Sequence, residues 1–525
     1  MNIRAILAAA PIDPSKLGNA QKIFAFASMC VGMFIALLDI QIVSASLRDI
    51  GGGLSAGVDE TAWVQTSYLI AEIVVIPLSG WLSRVFSTRW LFAASAAGFT
   101  ITSLLCGVAW NIQSMIVFRA LQGFLGGSMI PMVFTTAFAF FVGKQRVTAA
   151  ATIGAIASLA PTLGPTLGGW ITDHWSWHWL FFINLVPGLF VTVAVPLLVN
   201  IDKPDTSLLR RADYLGMVLL AVFLGCLEYT LEEGPRWNWL TDSTIVTTAW
   251  LSGLCGVGFV VRSLTYDHPV VDLRALHDLN FALGCLFSFI TGVGIFTTIY
   301  LTPLFLGRVE GYSALQIGEA VFSTGIFQIL TIPLYSYLAQ RYDLRWIMMA
   351  GLAIFALSMW DFTPITHDWG AHQLLLPQAL RGAAQQLAVP PVVTLTLGGL
   401  PPARLRLASG LFNLMRNLGG AIGIAVCATI LNDRTNQHFY RLAEHLNTTN
   451  EAMNQWLAQS SGRFTDVGDP NGELHALWQL AFREAQTLSY ADAFLAVAVC
   501  FVIATVLVPL MRKVMPPAAP SADAH

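Results

Sequence analysis

Long apolar runs recur along the whole chain, divided by short polar stretches. An α-helix rises about 1.5 Å per residue, so about 20 apolar residues cross a hydrocarbon core of about 30 Å. Fourteen runs meet that length, near 23–47, 61–82, 89–109, 112–137, 147–172, 177–200, 213–232, 244–264, 280–306, 314–338, 344–363, 372–397, 407–432 and 490–512. The pattern predicts an all-α integral membrane protein with fourteen transmembrane helices.

The polar stretches divide by charge. With the N-terminus in the cytoplasm, one set of loops holds Lys16, Lys22, Arg84, Arg89, Lys144, Arg146, Lys203, Arg210, Arg211, Arg262 and Arg274. The same side continues with Arg341, Arg345, Arg404, Arg406, Arg512 and Lys513, whereas the opposite short loops offer Arg48, Arg236 and Arg308. Basic residues accumulate on the cytoplasmic side, which predicts that both termini lie there. The apolar stretch Ile6 to Ala10 is too short for a cleaved secretory signal, so the first span is expected to serve as an uncleaved anchor. The polar segment from Asn432 to Ser489 joins the last two spans on the outer side. Phe439, Leu442, Leu446, Met453 and Leu457 recur in it at helical spacing, which suggests a small extramembrane helical element. It is either a solvated loop or a docking surface.

One polar hairpin occurs twice. Pro77-Leu78-Ser79-Gly80-Trp81-Leu82-Ser83-Arg84-Val85-Phe86-Ser87-Thr88-Arg89-Trp90 is echoed 256 residues later. The echo is Pro333-Leu334-Tyr335-Ser336-Tyr337-Leu338-Ala339-Gln340-Arg341-Tyr342-Asp343-Leu344-Arg345-Trp346. Eight predicted helices separate the copies, which puts both on one side of the membrane. Two parallel six-helix halves need six intervening helices, so the surplus pair near 213–264 reads as an insertion. The expected organisation is a cytoplasmic segment 1–22, a six-helix bundle 23–200, a linker with two extra helices 201–279, a second six-helix bundle 280–513 with an extracytoplasmic loop 433–489, and a tail 514–525. Duplicated halves of this kind build many transporters.

Composition narrows the function. Hydrophobic residues make up 55% of the 525 and charged residues 11%, against about 25% charged in soluble proteins. No basic stripe points to nucleic acid. The seven cysteines (Cys30, Cys106, Cys226, Cys255, Cys285, Cys427 and Cys500) sit in apolar runs without metal-site spacing, so neither a metal nor a cofactor is expected.

Charges inside spans carry the candidate chemistry. A mid-span carboxylate costs roughly 2.5–3.5 kcal/mol to insert unless it faces a partner or a cavity. Asp39 in the first span and Arg119 in the fourth lie at similar depth from the outer surface, so an interaction, direct or through water, requires only that the two helices adjoin. Arg119 stays charged and favours the carboxylate, while burial beside a lipophile favours the protonated acid. A group pulled both ways can exchange its proton as its surroundings change; the same two residues also fit a structural ion pair. Glu72 is a second buried acid, either a proton site or a hydrogen-bonded structural acid. In the second half, Pro377-Gln378-Ala379-Leu380-Arg381-Gly382 mirrors Phe118-Arg119-Ala120-Leu121-Gln122-Gly123 with Arg and Gln exchanged. Gln122, Gln378, Arg381 and Gln385 are therefore expected to line a substrate cavity, and Glu319 to be structurally paired.

The order of motifs resembles the major facilitator superfamily, in its fourteen-helix drug/proton antiporter group of the EmrB/QacA type. Carrying the resemblance are Leu38-Asp39-Ile40-Gln41-Ile42-Val43, Trp63-Val64-Gln65-Thr66-Ser67-Tyr68, Phe118 to Gly123, Gly164-Pro165-Thr166-Leu167-Gly168-Gly169 and Trp179-Leu180-Phe181-Phe182-Ile183-Asn184. It implies that helices one and four line a central cavity, which brings Asp39 and Arg119 together, that Arg416, in Asn413-Leu414-Met415-Arg416-Asn417, belongs to a thirteenth-span motif in the substrate cavity, that helix two is more peripheral, and that the Gly164-Pro165 and Gly168-Gly169 bend prevents leakage. It also implies proton-coupled export of lipophilic small molecules from the cytoplasm across a bacterial inner membrane, together with a periplasmic adaptor protein and an outer-membrane channel. The hairpin residues Gly80, Arg84, Arg89, Arg341, Asp343 and Arg345 match the group's basic loops, with one departure. Arg84 stands where the group has an acid of its cytoplasmic gate, and Ser87 where it has glycine. The alternatives are a narrower exporter of a metabolite, fatty acid or siderophore and, more distantly, a polytopic membrane enzyme. No H-E-x-x-H, paired acids at loop ends or glycine-rich phosphate cradle supports an enzyme.

Overall fold

The computed structural model describes residues 17–400, 402–446, 451, 453–455 and 472–513. Among them, fourteen long helices carry the fold and no strand occurs. The first six are α1 (Asn19–Ala45), α2 (Val58–Phe86), α3 (Thr88–Gly107), α4 (Ile112–Phe140), α5 (Lys144–His174) and α6 (Leu185–Leu198), the last preceded by a helical turn, Trp179–Phe182. Next come α7 (Tyr214–Glu233) and α8 (Ser243–Thr265). The remaining six are α9 (Leu279–Arg308), α10 (Ala314–Ala339), α11 (Leu344–Asp361), α12 (Leu375–Leu397), α13 (Pro402–His445) and α14 (Gly472–Leu507).

Short polar side chains set where these helices begin. Asn111 accepts from the Ser114 amide at 2.8 Å to start α4, Asp213 from Gly216 at 3.0 Å to start α7, and Asp278 from Phe281 at 2.9 Å to start α9. Each satisfies an amide that the helix cannot, typically worth about 1 kcal/mol. Thirteen of the helices are long and apolar enough to cross a membrane. The fourteenth, α12, has 23 residues, a length of about 35 Å at about 1.5 Å per residue. Its apolar content is lowered by Gln378, Arg381, Gln385 and Gln386, all buried against other helices rather than turned to lipid.

The repeat is visible in the packing. Within the first six helices the most extensive contacts are α2 with α4, α3 with α4 and α6, and α1 with α4, α5 and α6. Moving eight helices along the chain gives α10 with α12, α11 with α12 and α14, and α9 with α12, α13 and α14, and all of these pack as well. The seam between the bundles obeys the same relation. Helix α5 packs on α10 and α12, as α13 packs on α2 and α4. The pair α7 and α8 falls outside this symmetry: α7 lies on α2 and α13, bridging one seam, and α8 packs on α7.

The segment between the last two spans differs from the expected separate element. Helix α13 runs 44 residues to His445 and α14 runs 36 residues from Gly472, so both spans continue as a projecting two-helix arm. Thr435 donates to Ser489 at 3.0 Å, His438 meets Asp492 at 2.9 Å, and Phe439 packs on Trp478 and Phe482. Leu457 and the segment beyond it up to 471 lie outside the described residues. Replacing Thr435 and Ser489 by cysteine, with the native cysteines removed, should give a disulfide on mild oxidation, read as a mass loss of two hydrogens. Two thiols that stay free would contradict the arm.

Candidate functional site

Asp39 and Arg119 meet, and both are completely buried. Arg119 Nη1 donates to Asp39 Oδ2 at 2.5 Å and to Gln122 Oε1 at 2.8 Å, while Gln122 Nε2 donates to Asp39 Oδ1 at 3.2 Å. Asn184, just before α6, adds a bond to Asp39 Oδ1 at 2.7 Å and another to Ser103 of α3 at 3.1 Å. Arg119 Nε donates to the Val64 carbonyl of α2 at 3.2 Å, and its guanidinium lies 4.2 Å from the centre of the Tyr68 ring. Five elements therefore converge on one carboxylate and one guanidinium. The pair sits inside the first bundle, and Gln122, expected in a substrate cavity, is a member of its hydrogen-bond network.

Glu72 lies in α2, which the structure places on the seam against α13 and not at the periphery. It packs on α4, where a Cβ on Gly127 would lie 2.8 Å from its Cγ, and it forms no ion pair among the described residues. Arg416 is buried and its Nε has no partner among the described residues. Glu72 and Arg416 thus stand on α2 and α13, two helices that meet at this seam.

The mirrored motif in α12 forms a different arrangement. Arg381 Nη2 donates to Thr324 Oγ1 at 2.7 Å and to Gln378 Oε1 at 3.0 Å, and Gln378 Nε2 donates to the Ala320 carbonyl at 3.1 Å. Arg381 and Gln385 are buried, and Gln385 Oε1 has no partner among the described residues. Glu319 departs from its expected pairing: it is exposed on α10 and forms no ion pair among the described residues.

The glycines of α5 have a packing cause. A Cβ on Gly164 would come within 2.3 Å of Gln41 Cβ, and one on Gly168 within 2.7 Å of the Ile42 carbonyl, so α5 rests directly on the α1 turn after Asp39. Pro165 and Gly169 are buried beside them, and Pro165 removes one rung of the helical ladder. The motif couples the backbone of α5 to the helix that carries the acid.

A family model described as Major Facilitator Superfamily matches residues 29–424 and again 284–516. The chain belongs to the Major Facilitator Superfamily. It is 35% identical over 490 residues to the Colistin resistance protein EmrB of Acinetobacter baumannii, covering 93% of this chain and 96% of that protein. It is 30% identical to the Fatty acid resistance protein FarB of Neisseria gonorrhoeae over 511 residues, 96% of this chain and 98% of that one. The fold is also that of the proton:xylose symporter XylE, with a TM-score of 0.57 over 95% of this chain and 97% of that one, at 13% identity.

Within this superfamily fold, the hairpin ends hold the seam. A Cβ on Gly80 would lie 2.6 Å from the Arg406 carbonyl, which brings α2 against the start of α13. The acid missing at Arg84 has a counterpart elsewhere. Asp202, beyond α6, accepts from the Thr88 amide at 2.9 Å and hydroxyl at 2.9 Å and pairs with Arg406 of the second bundle at 3.2 Å. On the related seam Arg146 donates to the Gly398 carbonyl at 2.9 Å. Arg89 donates to the Pro196 carbonyl at 2.6 Å, and Arg341 lies over the Tyr337 ring. Asp343 caps α11 and pairs with Arg345 at 2.9 Å, while Arg345 also donates to the Met511 carbonyl. Although burial acts the other way, hydrogen bonds and charge from Arg345 hold the Asp343 carboxyl below its usual range. Asp343 therefore serves its own hairpin, and Asp202 crosses the seam.

Sequence reasoning missed Asn184, Asp202 and Glu228. Asn184 ends a motif whose chemistry is a single hydrogen bond, and Asp202 follows a span like any loop acid. Glu228 did carry a signal: it is a mid-span acid of α7, buried near Glu72, and its Oε2 lacks a partner among the described residues. The Asp202–Arg406 pair is partly exposed, so about 1 kcal/mol is expected from it, roughly a fivefold change in an opening equilibrium. A single cysteine at Ser409, buried in the seam, should react about fivefold faster with maleimide in Asp202→Asn than in the parent. The reversed pair Asp202→Arg with Arg406→Asp should slow it again, and equal rates in all three proteins would contradict the latch.

Proposed function

We propose that this superfamily member is a proton-coupled multidrug antiporter that exports lipophilic compounds from the cytoplasm across the inner membrane of a bacterium. Its two halves, 23–200 and 280–513, rock about the seam formed by α5, α10 and α12 on one side and α2, α4 and α13 on the other. Both termini lie in the cytoplasm, consistent with the basic hairpins. The driving force is the proton gradient, and no cofactor takes part. The observation that carries this reading is the buried Asp39–Arg119 pair, braced by Gln122 and Asn184.

A carboxylate with three donors and no solvent contact is stable as an anion only while those donors stay in place. Movement of α4 or of the Asn184 turn relative to α1 removes donors, and the acid then takes up a proton. The Gly164–Gly168 contact ties α1 to α5, a seam helix, so rocking of the bundles is transmitted to Asp39. Glu72 and Arg416 extend the charge path across the seam. Two similar relatives bear names for resistance to unlike compounds, colistin and fatty acids, which supports broad specificity. The projecting arm of α13 and α14 offers a contact for a periplasmic adaptor protein leading to an outer-membrane channel.

The test uses inverted membrane vesicles energised with a proton gradient and loaded by a fluorescent lipophile. Asp39→Asn should abolish gradient-driven transport, by tenfold or more on the scale of about 1.4 kcal/mol per decade, while expression and thermal unfolding stay close to the parent. Unchanged transport in Asp39→Asn would contradict the reading.

A further inference from the structure

The two arginines of the mirrored motifs have opposite fates. Arg119 finds a carboxylate, whereas Arg381, equally buried, donates to a hydroxyl and an amide oxygen. Its Nε and Nη1 have no partner among the described residues. A guanidinium stays charged at any relevant pH, and a buried cation without a counter-ion is costly to hold in a membrane.

The neighbouring helices cannot supply that counter-ion. Helices α9 and α12 contain no acidic residue, α10 contains only the exposed Glu319, the acid of α5 is Asp173, at its far end, and that of α11 is Asp361, its last residue, beyond the Ser358 bond to the Pro377 carbonyl at the start of α12. The counterpart of Asp39 in the second bundle falls among Ile295, Phe296, Thr297 and Thr298 of α9, none of them acidic. Gln385, one helical turn after Arg381, has a free Oε1, and the adjacent Gln386 has a free amide, so more unmet polar atoms lie on the same stretch of α12.

The group stands beside a moving surface. Thr324 and Gln328 belong to the turns of α10 that face α5. Gln328 Nε2 donates to the Gly154 carbonyl at 3.4 Å, and Gly325 lies against Leu159 and Thr162. Separation of α5 from α10 opens a path to Arg381 from the seam. Leu159 is the apolar side chain of α5 at that contact, which suits the body of a lipophile.

We propose that Arg381 is the anion-recognition point of the translocation site, where a lipophilic monocarboxylate supplies the counter-ion that the second bundle lacks. Thr324 and Gln378 hold the guanidinium in position, and the Nε and Nη1 donors take the carboxylate as charge-assisted hydrogen bonds. The substrate class this adds to the export reading, on which it rests, is the amphipathic organic acid.

The probes are 2-naphthoate and its neutral isostere 2-naphthamide, measured by equilibrium dialysis on the purified full-length protein. The parent should bind both. Arg381→Gln should lose 2-naphthoate affinity by about tenfold or more, as expected for a charge-assisted bond, and keep 2-naphthamide affinity. Arg381→Lys, which retains the charge, should fall between. Equal 2-naphthoate binding with and without Arg381, or equal loss of both probes, overturns the proposal. A measurement on the parent alone guards against a misfolded variant: 2-naphthoate should raise the thermal unfolding midpoint more than 2-naphthamide, and an equal or smaller rise also overturns the proposal. Export is scored separately as proton-driven movement of 2-naphthamide in vesicles. Its persistence in Arg381→Gln alongside unchanged 2-naphthoate binding would refute the anion site and leave the export reading standing.

Discussion

A carboxylate and a guanidinium 2.5 Å apart, neither reaching solvent, set the terms for the first bundle. Taking two charges out of water costs several kcal/mol per ion, recovered only when geometry and further hydrogen bonds are good. Here the recovery draws on α1, α2, α3, α4 and the turn before α6. Those elements must hold one relative arrangement for the pair to stay ionised. On the proposed function a rearrangement of the bundle is also a change in protonation, which is the requirement for coupling a proton to a conformational cycle.

The symmetry of the packing extends this logic to the whole molecule. The two seams are copies of each other under the repeat, α5 on α10 and α12 and α13 on α2 and α4, which is the arrangement the proposed rocking of the halves uses. The Asp202–Arg406 pair and the Arg146–Gly398 bond close related positions at the hairpin end. Helices α7 and α8 break the symmetry by covering only the α2–α13 seam, and Glu228 brings a further buried acid to it. The two bundles differ in charge as well. One contains a matched pair, and the other a cation, Arg381, with no acidic partner among the described residues.

The fold was legible in the sequence because hydrophobic length and basic loops are local signals. Span count, the duplicated hairpin and the inserted pair all follow from them. The partnership of Asp39 and Arg119 was legible too, since two charges at equal depth in a low-dielectric medium seek each other. Other features depended on distant segments meeting. Asp202 lies 114 residues from the amide it caps and farther still from Arg406, so the acid absent at Arg84 could not be traced from the motif alone. The resemblance implies a more peripheral helix two, and the position of α2, with Glu72, on the seam is a tertiary fact. The arm was expected as a separate element because its polar surface begins while the helix continues unbroken.

The central claim is that Asp39 changes protonation as the protein works. Infrared difference spectroscopy on the purified protein, with and without a bound lipophile, reads carboxylic acid protonation directly. The account predicts a change in the protonated-carboxyl band on binding that disappears in Asp39→Asn. The same band change in Asp39→Asn, or none in the parent, would contradict it.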